Sequence, residues 1–397
     1  MASCQTTARK FQDFSLPIDT VAAMQQAELN FDDDQADPNA GKMVSFVSLH
    51  HHDPNGQVYC GLTSLANQIL VSFDPDTKQF ADLAYQDREF CERYDVKIHR
   101  SFEADGEGGI FFAVAGLHQL KTNPDAPGGR IFRLDPETGR IDFIARPVKR
   151  DYIQTIAYDK LRKVFYGNCY PLRNSFGYDM KNDRTFDMAE PVNSHKARCD
   201  NEGNLWGISH RRTRPLHNVR EDELEVVRRL IRKRSVADIP VLFRYNPEDG
   251  YQYLPEGLPV VNAFTQSIAN GIDIGDGGMY LTTELGGLYR VDKQTGESQE
   301  YAFHRGGRLE GIAYDADRGL LFCAGGAYYA THVFVVDVEK KKRITPFWPV
   351  ADHETAERCI IVHALTLTKR NGTYLVYIGE TDNPNRAGHL WECQIKL

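Results

Sequence analysis

The stretch Leu288-Tyr289-Arg290-Val291-Asp292-Lys293-Gln294-Thr295-Gly296 is an alternating strand that runs into a polar turn ending in glycine. Tyr289 and Val291 fall on one face and Arg290 and Asp292 on the other, because side chains along a strand alternate with a period of two. The phrase recurs as Ile69-Leu-Val-Ser-Phe-Asp74-Pro-Asp-Thr77, Ile131-Phe-Arg-Leu-Asp135-Pro-Glu-Thr-Gly139 and Leu242-Phe-Arg-Tyr-Asn246-Pro-Glu-Asp-Gly250. Shorter copies stand at Phe176-Gly-Tyr-Asp179 and Val333-Phe-Val-Val-Asp337. Each reads as a half-buried β-hairpin.

A second hairpin precedes each of these. Gln154-Thr-Ile-Ala-Tyr-Asp159 runs into Lys163-Val-Phe-Tyr166, Gly271-Ile-Asp-Ile into Met279-Tyr-Leu-Thr, and Gly311-Ile-Ala-Tyr-Asp315 into Leu320-Leu-Phe-Cys323. The Gly-rich run Gly275 to Gly278 is a turn of this kind. The unit therefore has four strands, a to d. Units begin near Val44, Val96, Ile153, His195, Ala269, Leu309 and His363, a spacing close to the roughly 40 to 50 residues of a propeller blade. The fold expected is an all-β, seven-bladed β-propeller forming one domain over residues 1–397. A two-sheet sandwich would not need seven similar units.

The last unit supplies a (His363 to Thr368), b (Tyr374 to Gly379) and c (His389 to Ile395), and then the sequence stops. Lys10 to Leu16 is the expected source of its outer strand, closing the ring and removing an exposed sheet edge. Blade four carries an insert, 211–239, between its strands b and c. Within it, Glu221 to Arg234 places Leu224, Val227, Leu230 and Ile231 on one helical face, with Asn218 as N-cap. Its arginines make it the most basic stretch of the chain, suited to an anionic ligand.

The 397 residues are 41% hydrophobic and 26% charged, without an apolar run long enough for a membrane span, so a membrane span is not expected. A net charge of −8 argues against nucleic acid as the main partner. No signal sequence is visible; Ala2-Ser3-Cys4 reads as a disordered start, with a trimmed lipoprotein stub as the alternative. Eight cysteines without CxxC clustering read as small core residues. Cys169/Cys199 and Cys323/Cys359 fall on neighbouring strands, which permits bridges without requiring them. His50-His51-His52 falls in the expected a-to-b turn of blade one, where metal binding is not expected. Hydrolase, zincin, NTPase and dinucleotide fingerprints are absent.

Blade geometry turns linear positions into a spatial expectation. Strand a begins and strand b ends on one face, here the start face. The a-strand starts supply His99, Gln154, His195, Glu310 and His363; the b-strand ends supply His118, Tyr170 with Arg173, His210, Glu284 and Glu380. Taken singly, any of these residues is more often a structural hydrogen-bonding group than a catalyst.

Lys97-Ile-His99-Arg-Ser-Phe102, Gly109-Ile-Phe-Phe-Ala-Val-Ala-Gly-Leu-His118, Val164-Phe-Tyr166-Gly-Asn-Cys-Tyr170-Pro171 and Ser194-His195 with Asn204-Leu-Trp206-Gly207 resemble the seven-bladed propeller polysaccharide lyases that cleave at uronic acids. Ulvan lyases and rhamnose-glucuronate lyases are examples. The blade order matches through most of the chain, and the motifs through blades two to four. The resemblance implies two histidines, a tyrosine and an arginine at one cleft. His99 and His118 match the histidines. Either Tyr166, favoured by spacing, or Tyr170, the better exposed, stands for the tyrosine. The arginine has no matching position: Arg184 is nearest in sequence and Arg198 nearer the channel. Arg100, Arg173, His195, His210 and Arg211 are the candidate substrate-binding residues.

β-Elimination removes the weakly acidic C5 proton of a uronate once a cation offsets the neighbouring carboxylate. A tyrosine acting as base needs such a cation to favour its phenolate, given its reference pKa near ~10. Propeller lyases often hold one divalent ion, so the resemblance also implies Ca, Mn or Zn, with His195, Glu310 and His363 as candidate ligands. No organic cofactor is expected. The function expected is a lyase acting on an acidic oligo- or polysaccharide, periplasmic or secreted, with a cytoplasmic place as the alternative. Rival readings are a non-catalytic propeller binding an acidic glycan or protein, and a hydrolase or lactonase with a channel metal.

Overall fold

The aspartate that ends each outer hairpin phrase sets the turn. Asp292 accepts the backbone N–H groups of Gln294 and Thr295 at 2.9 Å each, and Asp135 accepts that of Glu137 at 3.0 Å. These are Asx turns, in which a short carboxylate replaces a backbone acceptor. Gly139, Gly250 and Gly296 follow at φ 68°, 70° and 77°, in the left-handed region glycine enters without steric cost. The repeated sequence phrase is thus the chemistry of one turn.

A computed structural model describes residues 2–11, 44–64, 68–116, 126–170, 175–188, 195–213, 240–255, 257–259, 267–383 and 385–397. It is an all-β, seven-bladed propeller. Blade one comprises Val44–His52, Gln57–Ser64, Leu70–Asp74 and Gln79–Asp82, hydrogen-bonded in that order. Blade two has Glu103–Ala104, Ile110–Val114, Arg130–Asp135 and Arg140–Ala145; blade three has Tyr152–Asp159, Val164–Tyr170, Ser175–Asp179 and Arg184–Asp187. Blade four begins at Arg198–Cys199 and blade five at Ile268–Asp273. Blade six begins at Gly311–Asp315, and its third strand, Ala330–Asp337, also pairs with Trp348–Pro349. Blade seven is Ile361–Arg370, Thr373–Thr381, Leu390–Lys396 and, fourth, Ser3–Arg9.

The closing strand is therefore Ser3–Arg9 and not Lys10 to Leu16. It pairs antiparallel with Leu390–Lys396 from Ser3↔Lys396 to Arg9↔Leu390. Residues 12–16 lie outside the described residues. Thr6 is buried, and Cys4 and Ala8 pack against the core between blades six and seven. Small side chains fit this crowded seam but carry a weak strand signal, so the stretch read as a disordered start is the closure. His50, His51 and His52 also differ from expectation: they finish strand a of blade one, and the turn lies beyond them, with Gly56 at φ 68°.

The cores lie between blades. Phe111 and Ala113 of blade two pack with Ile156 and Phe165 of blade three; Trp206 and Leu242 of blade four pack with Met279 and Tyr289 of blade five. Each such fully buried Leu, Ile, Phe or Met side chain contributes on the order of 1.5–3 kcal/mol. Gly379 shows how close the blades come, because a Cβ there would lie 2.5 Å from the carbonyl oxygen of Phe46. All eight cysteines are free thiols. Among the described residues no helix is long and apolar enough to cross a membrane. The expected helix Glu221 to Arg234, its cap Asn218 and most of the insert 211–239 lie outside the described residues.

Candidate functional site

Eight residues from six blades converge where the start face meets the channel. Arg100 is their centre. Its backbone sits at φ 47°, a left-handed conformation that costs a non-glycine residue roughly 1–3 kcal/mol. The surroundings hold it there: its N–H donates to the carbonyl of Val47 at 3.1 Å, and its carbonyl accepts the Thr155 hydroxyl at 2.8 Å. This backbone turn sends the guanidinium into the mouth, where Arg100 is 4% exposed.

The hydrogen bonds form one directed chain. Arg100 Nη2 lies 3.2 Å from Glu310 Oε1 and 3.2 Å from His363 Nδ1. A guanidinium only donates, so His363 Nδ1 accepts and its proton sits on Nε2. That Nε2 faces His99 Nε2 at 2.7 Å, while His99 Nδ1 lies 2.7 Å from the carbonyl of Gln154. A carbonyl only accepts, so His99 carries its proton on Nδ1 and offers a lone pair on Nε2. Both ends fix the same polarity. His99 and His363 are neutral, and burial, with the nearby cations Lys97 and Arg100, drives both well below the ordinary histidine range.

On the other side of Arg100 the chain is ionic. His195 Nδ1 is 2.8 Å from Glu310 Oε1 and His195 Nε2 is 2.5 Å from Glu284 Oε1. With a carboxylate at each nitrogen both must donate, so His195 is an imidazolium; burial opposes this, but Glu310 and Glu284 together raise its pKa. Burial likewise works to raise Glu284, and the hydrogen bond and charge of His195 outweigh it, holding the carboxyl down at about 2. Arg308 Nη1 approaches Glu310 at 3.6 Å from the solvent side. Gly325 permits this arrangement: a Cβ there would meet the backbone oxygen of Arg308 at 2.1 Å.

One layer deeper, Asn270 donates to the carbonyl of Glu310 at 2.8 Å and accepts Arg198 Nε at 2.9 Å. Arg198 also donates to Glu103 at 2.8 Å. It therefore lies below the mouth and is already paired. Tyr166 does not join the mouth. Its ring is fully buried between blades three and four, against Ala197, Leu205 and Phe243, and its hydroxyl has no partner among the described residues. Glu380 is buried too, and accepts Trp391 Nε1, Arg386 and three further donors as a brace of blade seven.

His118 and Arg173 lie outside the described residues. Tyr170, His210 and Arg211 are placed by backbone only, on Val164–Tyr170 and Leu205–Thr213. The expected cation ligands do meet, but Arg100 stands between Glu310 and His363, so the three present no vacant set of donors and do not fit a divalent ion. Lys196 and Asn270 were missed by the sequence reading. Lys196 lies at a bend just before the strand Arg198–Cys199, next to the expected a-strand start His195, and that neighbourhood was the available signal.

The fold and site define a seven-bladed propeller with a braced channel mouth. No protein-family model and no curated protein matches the chain. Among solved structures it is similar to the extracellular domain of the putative hybrid two component system BT4673 from B. thetaiotaomicron, with a TM-score of 0.54 and 13% identity over 88% of this chain. A second structure of that domain, described as a putative one component system, matches equally. This chain spans 38% of the length of either one. At that identity the likeness concerns the fold.

Proposed function

We propose that the protein engages an acidic oligo- or polysaccharide on its start face and cleaves it beside a uronate by β-elimination. The observation that carries this reading is a neutral His99, its tautomer fixed by Gln154, in one hydrogen-bonded chain with the Arg100 guanidinium through His363. A uronate carboxylate against Arg100 would have its charge offset, which acidifies C5–H. His99 Nε2 would take that proton once the sugar displaces its contact with His363, the C4–O4 bond would break as C4=C5 forms, and O4 would receive a proton from the His195 imidazolium, the charged acid of the mouth. Two buried polar atoms at the mouth, Arg100 Nε and Gln154 Oε1, lack partners among the described residues and suit a polar ligand. Tyr328 and Tyr329, exposed at the b–c hairpin of blade six on the same face, suit stacking against sugar rings. The extracellular neighbours favour a periplasmic or secreted place.

The test is the ultraviolet absorbance of unsaturated uronate on a panel of acidic glycans. Product formed by the wild type and lost in His99→Gln, in a variant still folded at the assay temperature by circular dichroism, supports the reading; a folded wild type without product on any glycan overturns it. A second reading, a non-catalytic propeller that binds an acidic glycan or a protein, is favoured by the occupation of His99 Nε2 by His363 and by the burial of Tyr166. Glycan binding without product would select it.

A further inference from the structure

Beneath the mouth a cavity of about 310 Å³ runs along the channel toward the opposite face, where strands a turn into strands b. Arg100 and His363 form its roof, and Tyr314 and Lys160, at the ends of their a strands, form its rim. Its volume is that of a small-molecule site. The charge on its walls does not match the acidic protein around it. Arg100, Lys160, Lys196 and Arg198 are four cations, against Glu103 as the lining carboxylate. Arg100 is balanced by Glu310 and Arg198 by Glu103. Lys160, exposed at the rim, and Lys196, half-buried in the wall, have no ion-pair partner among the described residues, so two lysines line the cavity without a paired carboxylate.

His50 adds a neutral polar group to the same wall. Burial first, then its histidine neighbour His52 and the charge of Lys196, push it down to about 4. Lys196 is itself destabilised as a cation: burial and Arg198, against the pull of Glu103, bring its ammonium down to about 7. An uncompensated ammonium in a confined site raises the affinity for an anion, because binding relieves the cost of the charge. Val47, Leu49, Ile272 and Ile312 supply an apolar side.

We propose that this cavity is a binding site, separate from the start-face mouth, for a small dianion of monosaccharide size, its two negative charges received by Lys196 and Lys160 and its polar groups by His50. The ligand chemistry is that of a compact dicarboxylate or a phosphate ester. It enters from the turn face, since the His99–His363–Arg100 brace closes the other end. The inference does not depend on the lyase reading, and no glycan is needed to test it.

The test is isothermal titration of the full chain at low ionic strength with tartrate, with inorganic phosphate and with uncharged erythritol. The expected result is binding of tartrate or phosphate and none of erythritol, with Lys196→Gln and Lys160→Gln each weakening affinity by about tenfold or more, as for loss of a charge-assisted hydrogen bond. Tartrate alone identifies a carboxylate ligand, phosphate alone a phosphate ester. At pH 6, where Lys196 is charged, Lys196→Gln should melt no lower than the wild type, because it removes an ammonium without an ion-pair partner among the described residues. Absence of heat with both anions, equal affinity in both variants, or equal binding of erythritol overturns the proposal.

Discussion

His99 and His363, 264 residues apart, face each other through their Nε2 atoms at 2.7 Å, and one proton lies between them. Gln154 and Arg100 at the two ends require that proton to belong to His363. The pair thereby joins blade seven to the start of blade two across the mouth. His363→Leu leaves Arg100 Nη2 and His99 Nε2 facing a hydrocarbon, and should cost roughly 2–4 kcal/mol. His363→Gln can donate to His99 and accept from Arg100, so most of the loss should be restored. Urea unfolding of the two variants separates this polarity from a simple packing effect.

The same network sets opposite responses to pH. His99 and His363 have folded pKa values far below the unfolded 6.5, so the unfolded chain binds more protons below that value and stability falls as pH drops through it, by up to about 2.7 kcal/mol per pH unit for the pair. Glu284, held at about 2 against 4.5, contributes stability that is present above pH 4.5 and lost between there and about 2. That loss amounts to about 3 kcal/mol at most. His195 is raised, so its contribution is full below 6.5 and fades as pH climbs through its folded value. Urea unfolding from pH 3 to 9 should give a maximum near neutrality, and Glu284→Gln should flatten the limb below pH 4.5. A profile rising steadily toward acid contradicts the assignments.

The fold was legible because its repeat is written in turn chemistry: Asp135, Asp179, Asn246 and Asp292 each cap a turn by accepting backbone N–H groups on a short side-chain oxygen. His99, His195, Glu310 and His363 were legible for the same reason, since counting strands places them at one face. What sequence could not reveal was direction within a strand end. Tyr166 lies within Val164–Tyr170 with its ring in the core between blades three and four, and the strand pattern alone did not tell a core tyrosine from one at the mouth. Arg100 was read as a substrate contact, whereas its left-handed backbone makes it the brace of the mouth. Ser3–Arg9 was hidden because a seam strand needs small side chains and not an apolar alternation.

Closure of the ring rests on Glu392, buried on blade seven's third strand. It accepts Arg9 at 2.8 Å from the N-terminal strand, Lys78 at 2.8 Å from blade one, and the Tyr377 hydroxyl at 3.2 Å. Glu392→Gln leaves two cations facing a neutral amide. Both cations keep some contact with water, which limits the expected cost to about 2–3 kcal/mol. The local effect should exceed the global one. Amide exchange across Ser3–Arg9, followed by mass spectrometry, should quicken at least tenfold, while that of Tyr152–Asp159 in blade three should change little. Equal quickening in both strands would show that Glu392 supports the ring as a whole and not its seam.

Tyr166 offers the sharpest separation between core and chemistry. Its ring fills the space between blades three and four beside Tyr245, at 5.9 Å between centroids, and burial pushes its hydroxyl far above the ordinary tyrosine range. That hydroxyl has no acceptor among the described residues, so it bears a desolvation cost without a hydrogen bond from them in return. Tyr166→Phe removes the cost and keeps the ring, and should leave stability unchanged or raise it by up to about 1 kcal/mol. Tyr166→Ala removes the ring and should cost about 3–5 kcal/mol. If the proposed elimination is detected, the phenylalanine variant should retain the wild-type rate; a loss of turnover in a variant that melts at or above the wild-type temperature would return Tyr166 to the chemistry and require the blade to open toward the mouth.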